Sequence, residues 1–250
     1  MTILIVLAGA AFSFIGTLVG LGGGVFMVPL LVLAVGYPLP MAVGSVALAL
    51  FPSALISTIS NSRTKSIDYK TGIKLEIPTI IGAIIGAQLT ALLPVRPLEL
   101  LFSLFIFYMA WHMRHKSSAT QVVQKFNNPM GLTFLGTLSG TLAGLFGVGG
   151  GILKTPILLK VFNLPAKRAA ATSLAMIMVT SIVSAAKHWQ LGHIDGRALP
   201  VVIGFASGSI FGNIFGKKLT DDKVQVFLSM ALFLAALAVL IHVIFYDYFL

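Results

Sequence analysis

The stretch Gly20-Leu-Gly-Gly-Gly-Val-Phe-Met-Val-Pro-Leu30 decides the fold. It lies inside residues 3–35, a run of 33 positions without a charged residue. One straight helix of that length would measure about 50 Å, far more than the roughly 30 Å apolar layer of a bilayer. Four glycines in five positions each disfavour helix by about 1 kcal/mol relative to alanine. The stretch therefore predicts a broken or re-entrant element. A span leads into an unwound glycine turn, and a short helix follows from about Val25, with Pro29 as a further helix-breaking residue.

The rest of the chain agrees with a membrane setting. Its 250 residues are 57% hydrophobic and 10% charged, with a mean hydropathy of +0.99. Soluble domains are about 45–50% apolar and about 25% charged. That excludes an ordinary soluble domain, and it excludes disorder, which has the opposite bias. The prediction is an all-α polytopic membrane protein with roughly eight to ten spans at about 20 residues each. Polar breaks place the helices at about 3–35, 41–60, 72–93, 98–113, 130–162, 169–187, 198–216 and 224–246. The apolar start lacks a basic flank and a small-residue cleavage site, so it reads as a retained first helix. The expected location is a bacterial or archaeal plasma membrane.

Seventeen Lys and Arg against seven Asp and Glu give a net charge of +10. In a soluble protein that would suggest nucleic acid. Here it reads as basic loops that orient helices and meet anionic lipid. With no cysteine, disulfides and thiolate metal sites are excluded, and no metal or cofactor is expected.

The glycine stretch returns as Gly147-Val-Gly-Gly-Gly-Ile-Leu-Lys-Thr-Pro-Ile157, 127 residues later. Asn61 corresponds to His188 and Ile67-Asp68 to Ile194-Asp195 at the same offset, and Gly82-xxx-Gly86 to Gly208-xxx-Gly212 at 126. Pro38…Ser45 corresponds to Pro165…Ser173 with one extra residue. Several matches in order predict two repeats of about four helices, residues 1–113 and 130–250, joined by a basic linker at 114–129. Duplicated halves with broken helices are a common build of secondary transporters, whose site lies near the membrane midplane. Four crossings per half would make the repeats parallel, and an odd number would invert them. On a four-crossing count, loop 61–74 and the linker share the cytoplasmic side, while Lys160, Lys167, Arg168, Lys217 and Lys218 fall opposite and leave the second half ambiguous.

These motifs resemble the TauE/SafE family of sulfite and organosulfonate transporters. The resemblance covers about residues 10–245. It rests on the two Gly-Gly-Gly-x-x-x-x-Pro elements, the small hydroxyls at Ser45 and Ser173, and the four-helix halves. It implies transport of small sulfur-containing or carboxylated anions, such as sulfite, sulfoacetate or taurine.

The residues themselves suggest how an anion could be held. Gly22, Gly23 and Gly24, with Gly149, Gly150 and Gly151, turn backbone N–H groups inward, and each following helix offers the positive end of its dipole. The alternative is close helix packing. Lys154 lies three residues past the second triplet in an apolar segment, where a charge is functional by default. It either meets an anion or snorkels to an interface; its counterpart is Met27. Pro156 is the second helix-breaking proline. Ser45, Thr172 and Ser173 donate to an oxyanion or cap helices. Asn61 and His188 sit at the far ends of their helices; His188 is a candidate proton relay or a headgroup-zone residue. Gln88 and Asn213 are candidates for a polar site or for interhelical hydrogen bonds.

All seven acids are placed in loops or near span ends, which favours an anionic or neutral substrate over a cation. The five histidines lack H-x-x-x-H and H-E-x-x-H spacing, and no carboxylate pair lies in a span, so an integral-membrane enzyme is disfavoured. Gly149-Gly-Gly-Ile-Leu-Lys-Thr155 lacks the P-loop glycine before its lysine, so ATP-driven transport by this chain alone is disfavoured. The expectation is an anion carrier with a small anionic substrate, coupled or not to protons. An anion channel is the alternative, and the oligomeric state stays open between monomer and homodimer.

Overall fold

The computed structural model describes residues 1–94, 97–98, 100–101, 104, 129–216 and 237. The predicted spans 98–113 and 224–246 and the linker 114–129 lie outside the described residues, isolated positions apart. The described chain is helical throughout its regular structure. In order come α1 (Thr2–Val19), α2 (Gly24–Leu33), α3 (Leu39–Arg63) and α4 (Tyr69–Leu92). The second series is α5 (Pro129–Phe146), α6 (Gly151–Lys160), α7 (Ala166–Gln190) and α8 (Leu199–Gly216). The first three members of each series have 18, 10 and 25 residues.

Local chemistry explains the boundaries. Gly20 ends α1 at φ 78°, and Gly23 precedes α2 at φ 92°. Both values lie in the left-handed region that other residues adopt only with strain. Pro38 and Pro165 precede α3 and α7 with nearly equal backbone angles. Asp68 caps α4 by accepting the Thr71 N–H at 3.1 Å, and its counterpart Asp195 accepts the Arg197 N–H at 2.9 Å. Pro29 and Pro156 do not break their helices. Each of α2 and α6 continues four residues beyond its proline, and the breaks fall at the glycine turns, where the backbone leaves helical angles altogether.

Close contacts fix helix direction. Gly9 of α1 packs on Gly204 of α8, Ala10 on Gly208, and Phe14 and Thr17 on Gly212, so α1 and α8 are parallel. Gly136, Gly140 and Gly144 of α5 lie in turn on Pro78, Thr79 and Ala83 of α4, also parallel. The small residues let the backbones approach within what a side chain would block. Helices α3 and α7 are antiparallel. Gly44, near the start of α3, meets the His193 carbonyl just past the end of α7. Thr172, near the start of α7, accepts the N–H of Asp68 just past the end of α3, at 2.9 Å. Ser13 bonds Ser53 at 2.9 Å and Asn213 bonds Ser57 at 2.9 Å, which aligns α3 with α1 and α8.

Helices α1, α3 and α8 thus run one way, and α4, α5 and α7 the other. Helices that correspond in the sequence are opposed, which is the arrangement of inverted halves. The physical reason lies in the first element. Gly23 sits beside Phe12 and Ser13 in the second half of α1, so the chain doubles back and α2 returns it to the end from which α1 started. Residues 3–35 are an out-and-back element, and the four-crossing count fails because it treats them as one crossing.

Inversion also regroups the charges. Arg63, Lys65, Lys70, Lys74, Lys160, Lys167 and Arg168 gather at one end, the Arg63 face. Among the described residues, Lys187 and Arg197 are the basic side chains at the opposite end, the Met1 face. Lys160, Lys167 and Arg168 therefore join the 61–74 loop instead of opposing it. Ile73, Ile77 and Ile81 on α4 and Ile203, Ile210 and Ile214 on α8 are exposed, as side chains that meet lipid should be. Five of the described helical segments are long and apolar enough to cross a membrane, and the chain is a multi-pass membrane protein.

The positive-inside rule then predicts the Arg63 face in the cytoplasm. The natural absence of cysteine supplies the assay. In intact cells an impermeant maleimide should label Gln190→Cys, and should label Ser62→Cys only after permeabilisation; the reverse pattern would refute this orientation.

Candidate functional site

The two glycine turns meet at the centre of the molecule. A methyl on Gly24 would come within 2.6 Å of the Gly147 carbonyl oxygen, and one on Gly151 within 2.7 Å of the Gly20 carbonyl oxygen. Gly22 and Gly149 each pack against both Leu50 and Ile177, which lie at the middles of α3 and α7. Gly149 and Gly150 have φ 68° and 73°, as their counterparts require. The turns sit against each other at mid-height of the bundle, level with the middles of α3 and α7.

Of the hydroxyls proposed from sequence, Ser173 bonds one of these turns, and Thr155, which the sequence reading did not single out, joins it. Ser173 Oγ donates to the Gly20 carbonyl at 2.8 Å, and Thr155 Oγ1 donates to the same oxygen at 3.0 Å. Thr172 faces the α3–α4 loop, through its bond to Asp68. Ser45 is buried in the second turn of α3.

Lys154 is fully buried, and its ammonium lies 2.9 Å from Glu76 Oε2 on α4. It also donates to Thr180 Oγ1 of α7, whose hydroxyl donates to Glu76 Oε1. Three helices thus close a ring of ammonium, hydroxyl and carboxylate. Glu76 is 6% exposed, so the expectation that every acid avoids the helical interior does not hold. Sequence placed Glu76 near a helix start. In the structure α4 begins at Tyr69, and Glu76 lies two turns inside, where Lys154 compensates its charge. The signal available in the sequence was the unpartnered Lys154, since a buried cation calls for an anion.

His188 lies buried in the last turns of α7. Its Nε2 is 3.0 Å from the Gly144 carbonyl of α5, and its Nδ1 is 2.9 Å from His193 Nδ1. A carbonyl only accepts, so Nε2 carries the proton; a neutral His188 ring then accepts at Nδ1 from His193. Burial holds His193, in the loop beyond α7, below the usual imidazole range. Nearby at the Met1 face, the hydrogen bond from Arg197 keeps Asp195 below the usual carboxylate range.

Asn61, the counterpart of His188, instead lines a pocket of about 220 Å³ at the Arg63 face, together with Asn213. Asn213 Nδ2 also donates to the Ser209 carbonyl at 2.7 Å. Gln88 is half-buried near the end of α4, apart from these groups. The structure brings together the two glycine turns, Thr155 and Ser173. Lys154 joins Glu76 and Thr180, while Asn61 and His188 lie at opposite ends.

A family model described as "Sulfite exporter TauE/SafE" matches residues 5–239. The chain belongs to the TauE/SafE family. It is 27% identical to the probable membrane transporter protein YunE of Bacillus subtilis, over 93% of this chain and 94% of that protein. It is 26% identical to a probable membrane transporter protein of Methanocaldococcus jannaschii, over 92% and 91%. Sulfite exporter TauE/SafE family protein 1 of Arabidopsis thaliana is 31% identical over 49% of this chain and 29% of its own length. No solved structure matches. Membership of TauE/SafE makes the chain a membrane transporter rather than an enzyme.

The buried pair gives a stability prediction. Removing one partner strands a buried charge, at a cost of about 3–5 kcal/mol. Lys154→Met should markedly lower the unfolding temperature in detergent, and adding Glu76→Gln should recover most of the loss. Equal destabilisation in single and double variants would show that charge pairing is not what the site contributes.

Proposed function

We propose that this transporter is a secondary carrier of small sulfur-containing or organic anions, of the sulfite, sulfoacetate and taurine-like organosulfonate class. The carrying observation is Lys154, a fully buried ammonium beside the mid-membrane turns, held by one carboxylate and one hydroxyl. An anion arriving there competes with Glu76 for the lysine. When the anion takes the ammonium, Glu76 is left in an apolar setting where a bare carboxylate is costly, so it takes up a proton. The anion and the proton then move together.

The substrate is held near the midplane between the Gly22-Gly23-Gly24 and Gly149-Gly150-Gly151 turns once these part. The helix ends that follow the turns contribute positive potential, and Ser173 and Ser45 contribute hydroxyl donors. Because the turns touch in the structure, loading requires their separation, which suits a carrier that changes shape in each cycle better than an open channel.

Flux into proteoliposomes tests this with sulfite, sulfoacetate, taurine and an acetate control, with and without a pH gradient. At least one sulfur anion should move, faster with an inward proton gradient. Lys154→Met should raise KM about tenfold or more, the effect of losing one charged hydrogen bond. Glu76→Gln should make the remaining flux insensitive to the gradient. Unchanged KM in Lys154→Met would overturn the role of the lysine.

A further inference from the structure

Inverted halves should offer equivalent surfaces at the two membrane faces, and here the two differ. At the Arg63 face, the 220 Å³ pocket is lined by Thr17, Asn61, Thr64, Ser66, Lys167 and Asn213, together with small and apolar residues and no carboxylate. Thr17 is 6% exposed, and its Oγ1 has no hydrogen-bond partner among the described residues. Lys167 makes no ion pair among them. The pocket joins donors of hydroxyl, amide and ammonium type, and one of the hydroxyls is buried and unsatisfied. An unsatisfied buried polar group is costly, and here an oxyanion would satisfy it.

At the Met1 face, the counterparts at offset 127 are Gly144 for Thr17, His188 for Asn61 and His193 for Ser66. Among the described residues, side chains fill that space. His188 reaches the Gly144 carbonyl at 3.0 Å, and His193 backs it at 2.9 Å. The His193 carbonyl packs on Gly44 so tightly that a methyl there would lie at 2.5 Å. Among the described residues the frame therefore holds a pocket at one end and a contact between buried side chains at the other, the asymmetry that alternating access requires of a carrier in one state.

We infer that the Thr17–Asn61–Lys167 pocket is a binding site for a small oxyanion, occupied when the carrier is open to the Arg63 face, and that the His188–His193 contact is the closed gate of the opposite face. Lys167 draws the anion in, Thr17 and Asn61 hydrogen-bond its oxygens, and the pocket's size matches a sulfonate with a short carbon chain. The inference rests on the carrier reading but makes a separate claim, since it concerns binding at one face and not the mid-membrane lysine.

Two measurements on the full chain separate the claims. Sulfoacetate and sulfite binding is measured calorimetrically on purified protein in nanodiscs, and flux of the same anions is measured in proteoliposomes. Lys167→Met and the isosteric Thr17→Val should each weaken binding about tenfold, with monodisperse protein and an unfolding temperature near that of the parent. His188→Ala should leave this affinity within about twofold but slow flux, because the gate at the other face no longer seals. Binding unchanged in both pocket variants overturns the site, whatever the flux. Absence of binding by the parent overturns it for this anion class. Binding lost in the variants while the parent shows no flux supports the site and refutes the carrier reading.

Discussion

Everything in this molecule hangs on two backbone turns that occupy each other's space. The Gly20 carbonyl lies over Gly151 and the Gly147 carbonyl over Gly24, at separations that a single methyl group would close. Reciprocal contact of this kind has two requirements. The turning residues need left-handed backbone angles, and the facing residues need no side chain. Once both are met, α2 and α6 must start at the midplane and run to opposite faces, and the long helices α3 and α7 cross them in opposite directions. The inverted arrangement follows from this clasp and from the return stroke of each short helix.

The frame is nearly symmetrical, and its chemistry is not. Met27 and Lys154 are counterparts, both with no exposed surface. One side of the frame thus carries an ion pair with Glu76. On the other side Ser13 bonds Ser53 and donates to the Phe205 carbonyl, all neutral groups. A buried ion pair is a poor source of stability compared with apolar packing of the same volume, because two charges must lose their water. The pair joins Glu76 of the first half to Lys154 of the second, on one side of the frame, and sets that side apart for the chemistry of charge. The two ends of the bundle diverge as well: histidines seal one face, while an asparagine and a serine leave an opening at the other.

Much of this was legible in the chain itself, and for local reasons. The glycine run reports a broken helix because helical propensity is a property of neighbouring residues. The first short helix starts at Gly24, within a residue of the Val25 that the sequence suggests, and its repeat counterpart starts at Gly151. Asp68 and Asp195 recur because each caps the helix it precedes. Lys154 stood out because a lysine in an apolar run is costly wherever it lies. The expected helix breaks at Pro29 and Pro156 did not appear, since a proline inside a short helix removes one hydrogen bond while the adjacent glycines change the path of the whole chain.

The sequence by itself determined a helical membrane protein of the TauE/SafE family, with two broken elements and a cation out of place. The family rests on the resemblance of the paired glycine-proline motifs; the helical membrane character, the broken elements and the misplaced lysine follow from composition and from residues close in the chain. Only the tertiary structure decided that the halves are inverted, that Lys160, Lys167 and Arg168 share a face with Arg63, and that Glu76 answers Lys154. Each of these depends on the direction in which a helix leaves its turn, or on groups 78 residues apart meeting across three helices. Hydropathy carries no sign for direction and no memory of distant partners, so those facts arise only when the helices pack.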